Sequence, residues 1–422
     1  MTCLSNGFDS SRRSLLLASL LVVVLVSSLF VCVLMMNNSS GVSLEGAVHV
    51  KNETELKDAI NNAPNDKPTT IAIDNDITLT LTSNDANTNG YPVNIIIQNK
   101  DITLTSNKAN GYYKLTGATN GNILFVTNGG ILRVDGITIT HKSNTKGCGI
   151  TVFPSGTLYL YSGIISNNPQ GGVDNSGSFE MSGGEISNNG DGEYMGGGVY
   201  NVGTFKMSGG IISGNQVEYG GGVYNDYLGI FTMTGGKISG NTATSGGGVF
   251  IRCDEFTMSG GEISGNTAKD EGGGVYIYPT SKFTMSGSKI SGNTATKGGG
   301  VYNKYIFIMS GGTITHNTAD KGGGVYAYGK FFDKRGGEIS GNKATNGDNN
   351  VFYDSNGDSG SLGSNDNSSN ANNNNNGTDS NGYSLRELLI IYVGITGIVM
   401  GVVGAVLFFA SKKEVHPVEK SQ

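Results

Sequence analysis

Three observations predict an all-β fold, a right-handed parallel β-helix. Seven times between residues 181 and 342 the chain repeats Met-Ser-Gly-Gly-x-Ile-Ser-Gly-Asn-Thr-Ala and then Gly-Gly-Gly-Val-Tyr, at a period of 24 to 27 residues. A unit that short cannot bury a core alone, so each must stack on the next. Within one unit the apolar residues fall in three short alternating runs punctuated by Gly and Asn, with no stretch of helical length or period. The third observation is compositional: 68 Gly in 422 residues, without the strict triplet of collagen, marks many tight corners. One coil is therefore three strands, stacked on the next at about 4.8 Å, and the crossover rule for parallel strands favours the right-handed form.

The columns of the repeat define the walls. Phe179, Phe205, Phe231, Phe256, Phe283 and Phe307 each precede by two residues Met181, Met207, Met233, Met258, Met285 and Met309, so both sets point to the core. A second column is Ile186, Ile212, Ile238, Ile263, Ile290, Ile314 and Ile339, and a third is Val199, Val223, Val249, Val275, Val301 and Val325. Leu132 and Val134 with Ile139, then Leu158 and Leu160 with Ile165, fit the same template. Ile71 to Leu81, Ile95 to Ile97 and Ile102 to Leu104 read as wider opening coils. Asn189, Asn215, Asn241, Asn266, Asn293, Asn317 and Asn342 recur at one corner, a stacked structural ladder, since Asn accepts left-handed backbone and can bond between coils.

The ends have their own signals. Thr54 to Ile60 carries apolar residues at helical spacing with acidic residues early, a short amphipathic helix that plugs the open core before the first coil. The β-helix is expected over residues 45–352, regular from 121 to 350, followed by an Asn/Ser/Gly-rich stalk over 353–387 that cannot bury a core. Residues 15–36 are an apolar run behind Arg12-Arg13, a signal peptide or an uncleaved signal anchor after a cytosolic or signal n-region over 1–14. Residues 388–410 read as a transmembrane helix with the stop-transfer flank Ser411-Lys412-Lys413 and a cytoplasmic tail over 411–422. The flanking charges place the β-helix outside the cell, at the plasma membrane, with a cytoplasmic C-terminus. Gly397-x-x-x-Gly401 in the second span is a candidate homodimer contact.

Cysteine adds little. Cys3 and Cys32 belong to the N-terminal segment, and Cys148 and Cys253 lie four coils apart, roughly 19 Å, beyond the reach of a disulfide. Candidate N-glycosylation sites are Asn37, Asn38, Asn52, Asn367 and Asn376, all on the flanks of the repeats.

The run Ile-Ser-Gly-Asn-Thr-Ala-x-x-Gly-Gly-Gly-Val-Tyr, as in Ile238 to Phe250 and Ile290 to Tyr302, resembles the paired FxxN and GGAI tetrapeptides of the chlamydial polymorphic outer-membrane proteins. Over residues 45 to 350 the broader likeness is to pectin-lyase-like right-handed β-helix proteins. The resemblance implies a surface-displayed adhesive solenoid. The chain departs from that family by ending in one helical span rather than an autotransporter barrel.

The same fold carries polysaccharide lyases and hydrolases, which gather Asp clusters on one outer face. Here Asp254-Glu255 and Asp270-Glu271 fall in turns one coil apart, His49, His141 and His316 stand alone, and Arg133, Arg252, Arg335 and Arg386 are scattered. No catalytic residue, metal site or cofactor is assigned. A passive surface coat is the other alternative, and the net charge of -6 argues against nucleic acid as partner. The expected function is membrane-anchored, cell-surface adhesion to an extracellular protein or glycan. The residue after each Val supplies the binding surface, since it faces out: Tyr200, Tyr224, Phe250, Tyr276, Tyr302 and Tyr326, with Tyr278 and Tyr328 two further along. The competing reading of that stripe is ring stacking between coils.

Overall fold

The computed structural model describes residues 44–354 apart from 66, 81–91, 107–110, 192–194 and 329–330. Those residues wind into a parallel β-helix. Every strand pair is parallel, and each strand bonds to its counterpart one coil earlier and one coil later. The expected apolar segments 15–36 and 388–410 and almost all of the stalk lie outside the described residues. Among the described residues no helix is long and apolar enough to cross a membrane.

The predicted columns are the observed register. Phe205 pairs with Phe231 and Met207 with Met233, then Phe231 with Phe256 and Met233 with Met258. Ile212 pairs with Ile238 and Ile238 with Ile263, while Val223 pairs with Val249 and Val249 with Val275. The Phe-Met and Ile strands belong to one 21-stranded sheet, and the Val strands form an 11-stranded sheet facing them. All three columns are buried from the first repeat through Ile314 and Val325, and Ile339 in the last coil is partly buried. Inside the core the Phe rings form a column, with centroids 4.4 to 5.0 Å apart and rings nearly parallel, so each interior ring is covered on both faces by its two neighbours. The earlier coils follow suit: Leu158 pairs with Leu132, Leu160 with Val134 and Ile165 with Ile139.

The glycine triplet shows why two kinds of glycine alternate. Gly246 has φ +67°, and a Cβ there would lie 2.7 Å from Phe250 Cβ. Gly248 is blocked by its neighbours instead, since a Cβ would fall 2.6 Å from the Gly274 carbonyl oxygen in the next coil. The first needs a left-handed turn and the third needs backbone contact between coils.

The Asn ladder is buried and bonded throughout. Asn215 Nδ2 donates to Asn241 Oδ1 at 2.9 Å and to the Ile186 carbonyl at 3.0 Å, and its backbone N–H donates to the same Asn241 Oδ1 at 3.0 Å. The pattern repeats at Asn241, Asn266, Asn293 and Asn317. It also begins earlier than the sequence shows. Asn168 donates to Asn189 Oδ1, and the buried His141 bridges Asn168 Oδ1, 2.8 Å from Nδ1, and the Gly121 carbonyl, 2.9 Å from Nε2. His141 is therefore the head of the ladder rather than an isolated imidazole. His316 occupies, with φ +58°, the left-handed position before Asn317 that Gly240, Gly265 and Gly292 take elsewhere. A second, shorter ladder was not anticipated: Asn175 donates to Asn201 Oδ1 and Asn201 to Asn225 Oδ1, all three fully buried.

The N-terminal plug forms as its sequence predicts. Helix α1, Glu53–Asn62, buries Leu56 and Ile60 over the first coil. Asn52 Oδ1 accepts from the Glu55 N–H at 2.9 Å, and the Glu55 carboxylate accepts from the Lys51 N–H at 2.7 Å. Asn52 Nδ2 donates to Glu55 as well, so the candidate sugar-bearing amide is part of the helix cap. At the other end Lys100 Nζ donates to the carbonyls of Asn61 and Ala63, placing a cation at the negative end of the helix.

Candidate functional site

The outward residues of the Val strands are in register, ring on ring. Tyr200 pairs with Tyr224, Tyr224 with Phe250, Phe250 with Tyr276, Tyr276 with Tyr302 and Tyr302 with Tyr326. Ring centroids are 5.7, 5.0, 4.5, 5.2 and 5.1 Å apart along this series, and Phe352 continues it at 5.0 Å.

The expectation of an exposed stripe needs correction. Tyr224, Phe250, Tyr276, Tyr302 and Tyr326 are buried, Tyr302 to 2 % exposure, and Tyr200 is half-buried. These rings form an apolar cluster of their own outside the main core. Facing away from the core is not the same as facing water. Stacking at strand spacing removes both faces of each ring, and the column before the glycine triplets closes one edge: Tyr219 packs edge-on against Phe250 at 5.5 Å, and Lys297 Nζ lies 5.7 Å from the Tyr326 ring centre. The phenols report this burial. Burial, reinforced by Asp226, pushes Tyr224 up to about 12. Burial with Glu271 pushes Tyr302 further in the same direction.

At the head of the column stand three polar groups that the sequence reading did not connect. Asp174 occupies the ring position one coil before Tyr200, and burial raises its carboxyl from 3.8 to about 6. Cys148 is a free thiol raised by burial and then by Asp174. Tyr200 Oη donates to Asp226 Oδ2 at 2.7 Å. Asp226 Oδ1, buried, has no hydrogen-bond partner, and its nearest cation is Arg252, with Nη1 3.6 Å away.

What is exposed is the corner that follows the Val strand. Tyr278 and Tyr328 are 42 % and 38 % exposed, as their position two residues past the stripe predicts. With them stand Tyr227 at 57 % and Leu228 at 81 %, which the sequence reading missed. The signal was corner length: Asn225 to Phe231 is two residues longer than Asn201 to Phe205, and so is Ile277 to Phe283. In both long corners a turn closes through an i to i+3 bond, Gly229 N–H to the Asp226 carbonyl at 2.8 Å and Ser281 N–H to the Tyr278 carbonyl at 3.0 Å. The third residue of each turn, Leu228 at φ +64° and Thr280 at φ +82°, occupies a region that normally selects Gly or Asn. A leucine held there, almost wholly in water, contributes strain and no burial.

Several of the charged candidates pair locally. Glu255 pairs with Lys282 at 2.9 Å, Glu271 with Lys297 at 3.8 Å, and His49 with Asp74 at 3.0 Å. Arg133 pairs with Asp101, and Arg335 with Asp333 at 2.7 Å. Arg386 and the sequons Asn37, Asn38, Asn367 and Asn376 lie outside the described residues. Among the described residues no three His, Cys, Asp or Glu side chains converge to hold a metal ion. The chain matches no protein-family profile, no curated protein and no solved structure.

Proposed function

We propose that the chain is a membrane-anchored cell-surface adhesion protein, a polymorphic-outer-membrane-protein-like solenoid with a right-handed, pectin-lyase-like winding. Its extracellular β-helix makes non-covalent contact with protein or glycan on a host or neighbouring cell. One observation carries the reading. Of the ten large apolar side chains that are exposed among the described residues, four (Tyr227, Leu228, Tyr278 and Tyr328) sit at the single corner between the Val and Phe-Met strands, and a fifth, Ile230, opens the strand that follows it. Scattered exposed apolar residues need no explanation, but their collection along one edge of a rigid rod is the usual mark of an interaction surface. The two apolar segments at residues 15–36 and 388–410 supply the anchoring in this reading.

The test is adhesion of cells that display the full chain, scored against cells displaying it with Tyr227, Leu228, Tyr278 and Tyr328 all replaced by Ser. The expected result is saturable adhesion that the quadruple variant loses while its surface display persists. Adhesion equal to that of cells without the chain would favour a passive coat and overturn the proposal. Antibody access to the repeats on intact cells checks the orientation.

A further inference from the structure

The exposed corner has an internal order that adhesion alone does not require. Along five successive coils it presents Tyr227 and then Arg252, Tyr278, Lys304 and Tyr328, aromatic and cationic side chains in turn, Tyr227 standing one residue past Asp226, which holds the common register position in the first of these coils. Arg252, Tyr278, Lys304 and Tyr328 share one register position. The backbone N–H of each donates to the coil before it, to the carbonyls of Asn225, Ile251, Ile277 and Asn303, at 2.8 to 3.0 Å. The side chains thus leave a fixed frame at fixed intervals, with little ordering left for a ligand to impose.

Each cation lies against rings. Arg252 is 5.0 Å from the Tyr227 ring centre, and Lys304 Nζ is 5.7, 5.5 and 5.8 Å from those of Tyr276, Tyr302 and Tyr328. Arg252 is partly neutralised by Asp226, whereas Lys304 has no carboxylate within salt-bridge distance among the described residues. Its charge is held in place by aromatic faces and open to an anion.

Like groups recur every second coil, about 10 Å at strand spacing. That is the length of one disaccharide in an extended glycan. Building on the adhesive reading above, we infer that this corner binds an extended acidic glycan laid along the solenoid axis, with one anionic group per disaccharide. The pyranose faces stack on Tyr227, Tyr278 and Tyr328, and the carboxylates meet Arg252 and Lys304. Tyr suits this role because its ring offers an apolar face and its hydroxyl a polar tip. A chain charged on every ring would place half its anions over the tyrosines.

The experiment titrates the full chain against immobilised hyaluronan, which carries one carboxylate per disaccharide, with polygalacturonate, hydroxyethyl cellulose and oligo-dT in parallel. Saturable, salt-sensitive binding to hyaluronan is expected, with the other three at least about tenfold weaker, a factor equivalent to one lost contact. Tyr278→Ala and Tyr328→Ala should each weaken hyaluronan binding about tenfold without moving the thermal midpoint. Lys304→Gln should weaken it and flatten the salt dependence, and Lys304→Arg should restore both. Hyaluronan binding that ignores all three variants overturns the inference, as does equal or tighter binding of polygalacturonate or oligo-dT. Cells that adhere through the corner while the chain binds no glycan would overturn the inference and leave the adhesive reading standing. Failure of adhesion as well would remove both.

Discussion

Replacing Asn241 with Ala in the middle of the buried ladder tests what holds the coils in register. The side chain makes four hydrogen bonds: Nδ2 to the Ile212 carbonyl at 3.0 Å and to Asn266 Oδ1 at 2.9 Å, and Oδ1 from Asn215 Nδ2 at 2.9 Å and the Asn215 backbone N–H at 3.0 Å. At about 1 kcal/mol net per bond the loss is about 4 kcal/mol, and the Asn215 N–H is left buried without a partner, which adds about 1 to 3 kcal/mol. The expected destabilisation is therefore about 5 to 7 kcal/mol, in the exceptional range for single substitutions. Asn241→Asp sharpens the test. An ionised aspartate keeps the acceptor but faces Asn266 Oδ1 and the Ile212 carbonyl with no proton to give, so at neutral pH it should be worse than Ala and should recover as acid protonates it. The assay is denaturant unfolding together with native-state hydrogen exchange. Because stacked repeats couple chiefly to their neighbours, protection should fall first in the coils around residue 241 and last at helix α1. A loss below about 1 kcal/mol for Ala, or an Asp variant more stable than Ala at pH 7, would refute the reasoning.

Three further outcomes follow from the same geometry. Leu228→Gly should stabilise the fold by up to about 1 kcal/mol, the relief of a left-handed leucine being partly offset by glycine's greater freedom when unfolded, as a shift in thermal midpoint will show. Tyr276→Ser should destabilise the fold by about 3 kcal/mol, because the ring is sandwiched by Phe250 at 4.5 Å and Tyr302 at 5.2 Å; an unchanged melting curve would contradict the stacking account. Asp174 fixes a pH dependence. Its folded pKa of about 6 lies above the ordinary 3.8, so the folded chain holds the extra proton between those values and stability falls as pH rises through that window. The fall is at most about 3 kcal/mol, less whatever its partial exposure screens. Asp174→Asn should flatten that part of the stability profile and raise stability at pH 7.

The walls were legible because a period-2 strand with a fixed repeat leaves Phe231, Met233, Ile238 and Val249 no other face to bury. Orientation could be read for Tyr276 in the same way. Its burial could not, because alternation tells which way a side chain points and is silent on what the next coil lays over it. His141 was misread as solitary for a related reason: it precedes the recurring Asn pattern, so nothing in its own segment announces that it meets Asn168 across a coil. Tyr227 and Leu228 were missed because they sit in a corner longer than its neighbours, where column alignment slips, whereas Arg252 and Lys304 share a column with Tyr278 and Tyr328 that alternates in chemistry and so shows no repeated residue type. The lengths themselves were in view at Asn225 to Phe231 and Ile277 to Phe283, and they point to the two corners that carry left-handed residues.

The ladder asparagines all bond to one another in one sense, each amide N–H₂ reaching toward the side-chain oxygen of the coil that follows, from Asn168 to Asn342, where Asn350 of the same coil closes the series. Such a chain polarises itself along the rod, and it also makes every coil an adequate substrate for the next. A duplicated coil arrives with an oxygen for the donor before it and a donor for the oxygen after it. Gain or loss of whole coils therefore disturbs no bond that is not immediately remade. Rod length becomes a quantity that duplication can set without redesigning the core, and with it the distance at which the corner stands from whatever holds the chain's far end.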